Sequence, residues 1–208
     1  YPEWFFKEYL SMSESPEKMS EIMDKYKINY VLTLYPENSS GKSVPDYLSI
    51  NPQWALVYWD KYYLLFLRRQ EKYSGVIDKF AYRYADPLKL GRTEFIGRLQ
   101  QEEGVILRGK IIDELNRNLT EYDQNAKAHL YLGSMLEGAG DFDGAVKEYV
   151  EAIRFDPENV LPNLLIAGIL VKREQFTQAS EVLHKTLAKN PNLPSAYLIL
   201  GQMEEKDR

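Results

Sequence analysis

Residues 126–159 read AKAHLYLGSMLEGAGDFDGAVKEYVEAIRFDPEN, and residues 160–193 read VLPNLLIAGILVKREQFTQASEVLHKTLAKNPNL. Laid over each other at an offset of 34 residues, the two segments place Pro157 over Pro191, Ala145 over Ala179 and Tyr149 over Leu183. Leu132 falls over Ile166, Gly133 over Ala167 and Leu136 over Leu170. A third pass starts after Pro194, with Tyr197, Leu200 and Gly201 where His129, Leu132 and Gly133 stand in the first. A period of this length, with large and small residues at fixed places and a closing proline, predicts pairs of helices stacked into an array.

The spacing has physical causes. Gly133 and Ala145 are small because the two helices of one unit must approach closely there. Asp156-Pro157-Glu158-Asn159 and Asn190-Pro191-Asn192-Leu193 read as turns, where proline stops one helix and polar side chains help to start the next. Gly140-Asp141 breaks the first unit between its helices, with Asp141 or Asp143 as N-cap. A single pair leaves an apolar face uncovered, so stability must come from stacking on neighbours. Residues 194–208 read as a lone helix that covers the second unit. Its polar end suits a cap, and equally it could be the first helix of a further repeat.

These positions resemble the tetratricopeptide repeat family over about two fifths of the chain. Residues 126–159 meet nearly every signature position, with His129 in place of the leading tryptophan. Residues 160–193 keep the size pattern, with Asn163 at that leading place and Thr186 where alanine is expected. The resemblance implies an all-α superhelix whose groove, lined by the first helix of each pair, takes a protein or peptide. On this chain those groove positions fall on Lys127, Leu130, Tyr131, Ser134, Glu137, Leu161, Leu164, Leu165, Gly168, Lys172, Leu198 and Gln202. They are apolar at the centre and poor in cations, which favours an apolar or helical ligand over a clamped terminal carboxylate.

Composition narrows the rest. With 44% hydrophobic and 27% charged residues, the 208-residue chain has the balance of a folded protein, not of a disordered one. Its formal charge is −5 and no block is basic, so binding to a nucleic-acid backbone has no electrostatic support. The absence of cysteine excludes disulfides and thiolate metal sites. No run reaches the roughly 18–20 apolar residues of a membrane span, and Pro162 and Asn163 interrupt the nearest one. The chain opens on Tyr1-Pro2-Glu3-Trp4-Phe5-Phe6, without a methionine or a signal peptide, and reads as part of a longer protein.

Residues 1–69 form a different unit, a small α+β domain of about three strands. Tyr1 to Leu10 reads as a short aromatic helix. Ser15-Pro16-Glu17 starts another, with Ser15 as cap and Met19, Ile22, Met23 and Tyr26 on one face. Ile28 to Tyr35 reads as a buried strand and Pro36 to Val44 as a loop. A short helix over Asp46 to Ile50 precedes two strands, Trp54 to Trp59 and Tyr62 to Arg68, joined as a hairpin at Asp60-Lys61. This order suggests a sheet with one face covered by helices. Residues 70–125 read as a helical connector or degenerate repeat. Val76, Ile77, Phe80, Ala81 and Tyr84 suggest a helix ending at Asp86-Pro87, and Phe95, Ile96 and Leu99 form a short stripe. Ile106, Ile111, Ile112, Leu115 and Leu119 form a longer stripe that would cover the start of the array.

The kinked aromatic start, the passage Lys25 to Leu32 and the Trp54–Asp60 hairpin, ending in Leu67-Arg68-Arg69, are together similar to another pattern over about 70 residues. They resemble the soluble tail of bacterial and archaeal protein-mannosyltransferase-like multi-pass membrane glycosyltransferases. That resemblance implies a full-length glycosyltransferase, an extracytoplasmic location and tethering through membrane segments preceding this chain. In that setting the chain is the non-catalytic soluble tail of a larger membrane protein. The alternatives are an accessory domain that binds the acceptor or glycan of such a glycosyltransferase, and a soluble, cytoplasmic repeat scaffold. The catalytic acids of that class lie in loops this chain does not contain, so no catalytic residue carries over.

No other constellation points to chemistry. The histidines, His129 and His184, sit at a framework position and on a second helix. Gly138-Ala139-Gly140-Asp141 follows a helix where a nucleotide loop needs a strand. Asp141-Phe142-Asp143-Gly144 lacks the first and last ligands of a calcium loop. Asn38-Ser39-Ser40 and Asn118-Leu119-Thr120 fit the glycan acceptor triplet. The aromatics crowded into residues 1–84 read first as core and second as a carbohydrate or membrane-interface surface. The expectation is a non-catalytic interaction chain without cofactor or metal, its oligomeric state open.

Overall fold

The computed structural model describes residues 2–206 except 13, 37–42, 92–94, 96–98 and 100–101. It divides into two compact units, Tyr1–Leu99 and Gln100–Arg208. The first is an α+β unit with an antiparallel sheet of three strands, and the second is helical. The segment between the sheet and the array is thus shared out, its first part lying with the sheet and its last helix with the array.

In the first unit, helix α1 (Glu3–Ser11) is followed by α2 (Pro16–Lys25), where Ser15 accepts from the backbone of Lys18 as the sequence predicts. Glu8 joins the two helices, accepting from Lys25 Nζ at 2.6 Å and from the Tyr26 hydroxyl at 2.7 Å. Strand β1 (Tyr30–Leu34), helix α3 (Val44–Ile50) and strands β2 (Trp54–Trp59) and β3 (Tyr63–Arg68) follow. The sheet order is β1-β3-β2, with all pairs antiparallel. Ser43 and Asp46 make a reciprocal capping box on α3, so that helix starts two residues earlier than its apolar pattern suggests. In the hairpin, Asp60 Oδ1 accepts from the backbones of Tyr62 and Tyr63, both at 2.7 Å. A side-chain turn there replaces the glycine that a tight hairpin prefers.

Two expectations for this unit need correction. Helices cover more than one sheet face: Trp54, Leu56, Trp59, Leu64 and Phe66 are buried on one side, while Ala55 and Val57 on the other pack on Ile77 of α4 (Ser74–Phe80) and on Ala81, its C-cap. The first strand, in contrast, is not buried. It is an edge strand, and Tyr30, Leu32 and Leu34 stand exposed beyond the reach of α4. Helix α4 itself stops at Phe80, short of Asp86. The backbone N–H of Tyr82 leaves the helix to donate to Leu56 O at 2.8 Å, closing the outer edge of β2 beside its bulge. Asp86 then caps a short helix α5 (Pro87–Leu90). Of the stripe Phe95, Ile96 and Leu99, residue 96 lies outside the described residues.

The second unit starts with α6 (Glu102–Glu121) and runs through α7 (Ala126–Gly138), α8 (Phe142–Phe155), α9 (Leu161–Lys172), α10 (Phe176–Lys189) and α11 (Pro194–Lys206). Ile111 and Leu115 of α6 are fully buried as expected, but Ile106 is exposed, so the apolar stripe begins later than the sequence suggests. Helices α7 and α8 form the first pair, and α9 and α10 the second. Between pairs, Leu130, Ala145, Tyr149, Ala152, Ile166 and Ile169 make one core. Ala167, Val171, Ala179, Leu183, Ala196 and Met203 make the next, under α11.

The turns inside the pairs repeat with the sequence. Gly140 has φ +85° and Glu174, 34 positions on, has φ +60°. In each, the following backbone N–H reaches back five residues, Asp141 to Leu136 O and Gln175 to Leu170 O, both at 2.9 Å. Gly140 also bonds Glu137 O, and Glu174 bonds Val171 O. Both are the double closure of a helix end that requires a left-handed residue. Asp141, of the two candidate caps, accepts from Gly144 N at 2.9 Å, while Asp143 pairs with Arg173.

Candidate partner-binding groove

The first helices of the pairs, α7, α9 and α11, carry the residues assigned to the groove. They differ in what they offer to a ligand. Leu161 and Leu198 are 45% and 64% exposed, and Lys172 and Gln202 are exposed as well. Lys127, Tyr131, Ser134, Glu137, Leu164, Leu165 and Gly168 are half-buried. Leu130 is buried and belongs to the core between the pairs, together with Ile166 and Ile169. Leu164 and Leu165 divide between the two cores, because α9 is sandwiched and apolar on nearly every side.

Two of the charged groove positions are joined to each other. Glu137 accepts from Lys172 Nζ at 2.6 Å, across the junction of the first and second pairs. The other oxygen of the same carboxylate accepts from the Tyr149 hydroxyl at 2.9 Å. Tyr149 has no exposed surface, and its phenol is held far above its ordinary pKa. Burial does most of this, and the neighbouring Glu137 carboxylate adds to it against the opposing Ser134 hydrogen bond. The Glu137–Lys172 pair leaves the groove nearly neutral there, with an apolar rim at Leu161 and Leu198. The sequence pattern marks Tyr149 only as a framework position. Its hydroxyl reaches Glu137 because Gly133 lets the ring come close to α7, a closeness that a one-dimensional pattern does not display.

His129 is a framework residue and more. Its Nδ1 lies 2.7 Å from Glu148 Oε2 and its Nε2 lies 2.8 Å from Asp123 O, while the ring stacks on Phe155 with centroids 5.7 Å apart. Burial presses the imidazole towards its neutral form. The hydrogen bonds to Glu148 and to the Asp123 carbonyl act the other way and prevail, so its pKa is raised. His184 sits exposed on α10, beside Ser180.

The Asn118 triplet is no glycan acceptor in this fold. Asn118 has no exposed surface, and its Oδ1 accepts from Asn125 Nδ2 at 2.7 Å. The Asn38 triplet lies outside the described residues. The N-terminal aromatics divide between core and surface. Trp54, Trp59 and Phe66 build the core, whereas Trp4, Phe6, Tyr9, Tyr30, Tyr62 and Tyr63 are exposed. An apolar cleft of about 480 Å³ also lies in this unit, lined by Phe5, Tyr9, Met12, Met23 and Val31, with Glu8 at its wall. Among the described residues no helix is long and apolar enough to cross a membrane.

The family model described as tetratricopeptide repeat matches residues 136–203, from the end of α7 to α11. The chain is also similar to the tetratricopeptide repeat-containing protein trd-1 of Caenorhabditis elegans, at 26% identity over 155 residues. That alignment covers 67% of this chain and 20% of the relative, so the chain spans about one fifth of the relative's length. Together the match and the relative support the tetratricopeptide nature of the array. Neither supports the mannosyltransferase-like pattern of residues 1–69 or a membrane-tail context.

Proposed function

We propose that this chain is a non-catalytic scaffold whose helical array holds a protein partner through the groove of α7, α9 and α11. Repeat arrays of this family generally bind proteins or peptides, and the groove positions here fit an apolar helical segment better than a charged terminus. The observation that carries the reading is the pairing of Glu137 with Lys172. It neutralises the charged positions between the first two pairs and leaves exposed Leu161 and Leu198 as anchors. A partner helix with apolar residues at i and i+3 or i+4 matches such a rim.

The test is selection from a displayed library of helical peptides, followed by titration of a selected peptide against the whole chain and its variants. Leu161→Glu and Leu198→Glu change exposed side chains and should leave the melting temperature unchanged. Each is expected to weaken binding about tenfold or more, corresponding to loss of one buried leucine contact of about 1.5–3 kcal/mol. Lys185→Glu, on the exposed side of α10, should not. Binding that ignores both leucines, or selection of peptides without apolar spacing, would remove the groove assignment.

A further inference from the structure

We infer that His129 is a proton-operated latch at the start of the array: as an imidazolium it ties the turn before α7 to helix α8, and on losing its proton it releases one of the two ties. Both ring nitrogens lie within hydrogen-bond distance of an oxygen, 2.7 Å for Nδ1 to Glu148 and 2.8 Å for Nε2 to Asp123 O. A peptide carbonyl only accepts, and an ionised carboxylate only accepts. A neutral imidazole carries one N–H and satisfies one of them. The imidazolium carries two and satisfies both.

The surroundings favour the charged form. The charges acting on the ring are Glu148 and Glu151 of α8. Arg154, the nearby cation of the same helix, is paired with Glu151 at 3.3 Å and lies over the Phe155 ring on which His129 stacks. From the turn, Asp123 contributes its carbonyl. The latch joins three pieces that are separate in sequence: the turn after α6, helix α7 through His129 itself, and helix α8. Asn125, the N-cap of α7, lies between Asp123 and His129. Loss of the Nε2 tie would loosen the segment that holds α6 on the array, and loss of the Nδ1 tie would loosen the hold on α8.

The direction with pH follows from the raised folded-state value. The unfolded histidine titrates at about 6.5. The added stability is fully present below that pH and is lost as pH rises through the higher folded value. Across that window the unfolding equilibrium constant should grow about tenfold per pH unit, relative to a chain without the histidine.

The experiment is long-range ¹H–¹⁵N spectroscopy of the two histidines across pH 5 to 9 in the whole chain, with His184→Gln assigning the signals. It is paired with urea unfolding of the wild type, His129→Trp and Glu148→Gln at each pH. His129 is expected to show two protonated ring nitrogens at pH 6 and to titrate above 6.5. Its steep loss of stability above that pH should be absent from His129→Trp, which fills the same framework position without a titrating group. Glu148→Gln removes the charge and should lower the His129 titration, an arm that holds even if the tryptophan variant does not fold. A single protonated nitrogen at pH 6, or a titration unmoved by Glu148→Gln, overturns the latch. A wild-type pH profile that superimposes on that of His129→Trp overturns it as well.

Discussion

A Cβ built on Gly133 would lie 2.5 Å from Cε1 of Tyr149, inside the ring's own volume. The same added carbon would lie 3.2 Å from the Ala145 carbonyl, so neither side has room to give. In the second pair the equivalent residues are Ala167 and Leu183, both fully buried in one core. The repeat thus conserves the sum of two volumes: glycine faces a tyrosine in one pair, and alanine faces a leucine in the next. Gly133→Ala is expected to cost about 1–3 kcal/mol of unfolding free energy by overpacking. Adding Tyr149→Leu should recover part of the overpacking loss, and a double-mutant cycle in urea measures the coupling. Strictly additive losses would mean that the two positions do not share this space.

A second prediction concerns the joint between α6 and α7. Asn125 caps α7 through Ala128 N and donates to Asn118 Oδ1 from its other end, and both asparagines are buried. Asn125→Ala removes the cap and leaves a buried carbonyl oxygen without that donor, at an expected cost of about 1–3 kcal/mol. Asn118→Ala combined with it should cost less than the two separate losses, since one broken hydrogen bond is then counted once. Equilibrium unfolding of the three variants decides this.

Features set by local chemistry were legible in the chain. Pro157 and Pro191 mark the repeat register, Ser15 and Pro16 mark the start of α2, and Gly140 marks the break between α7 and α8. Features set by tertiary partners were not. The strand Tyr30–Leu34 is apolar enough to read as buried, yet its place at the sheet edge leaves alternate residues exposed. Helix α4 has an apolar pattern that continues past Phe80, but the edge of β2 takes the Tyr82 N–H. In the groove, the positions of Glu137 and Lys172 were readable while their mutual pairing was not, because it depends on how one pair of helices sits on the next. His129 stood out as a departure from the expected tryptophan, but its two acceptors come from a turn and from the neighbouring helix.

The exposed edge leads to a third prediction. Asn29, Val31, Thr33 and Tyr35 face β3 in the hydrogen-bonded register, so Tyr30, Leu32 and Leu34 turn their backbone groups outwards. Among the described residues nothing pairs with that edge, and the strand carries no lysine, proline or bulge to discourage pairing. Leu32 is 60% exposed, so Leu32→Lys should leave the melting temperature within about one degree while reducing self-association at high concentration. Light scattering over a concentration series measures the difference. An unchanged series would show that this edge does not recruit other chains.

The last prediction uses the symmetry of the array against its one irregular turn residue. Gly140 and Glu174 occupy the same place in the two pairs, with the same backward hydrogen bonds and φ of +85° and +60°. Glycine takes this conformation without a steric cost, whereas a residue with a Cβ pays roughly 1–2 kcal/mol to hold it. Glu174 is exposed and no ion pair of its carboxylate compensates among the described residues. Glu174→Gly therefore gains the relief of that strain and loses only the greater freedom of glycine in the unfolded chain, roughly 0.5–1 kcal/mol. The net expectation is stabilisation of up to about 1.5 kcal/mol, the opposite sign from most glycine substitutions. Gly140→Glu should lose a similar amount in the first pair, because it imports the same strain. Urea unfolding of both variants and of the exchange double variant tests the symmetry. A destabilised Glu174→Gly chain would show that the carboxylate does something at that turn which the backbone geometry does not reveal.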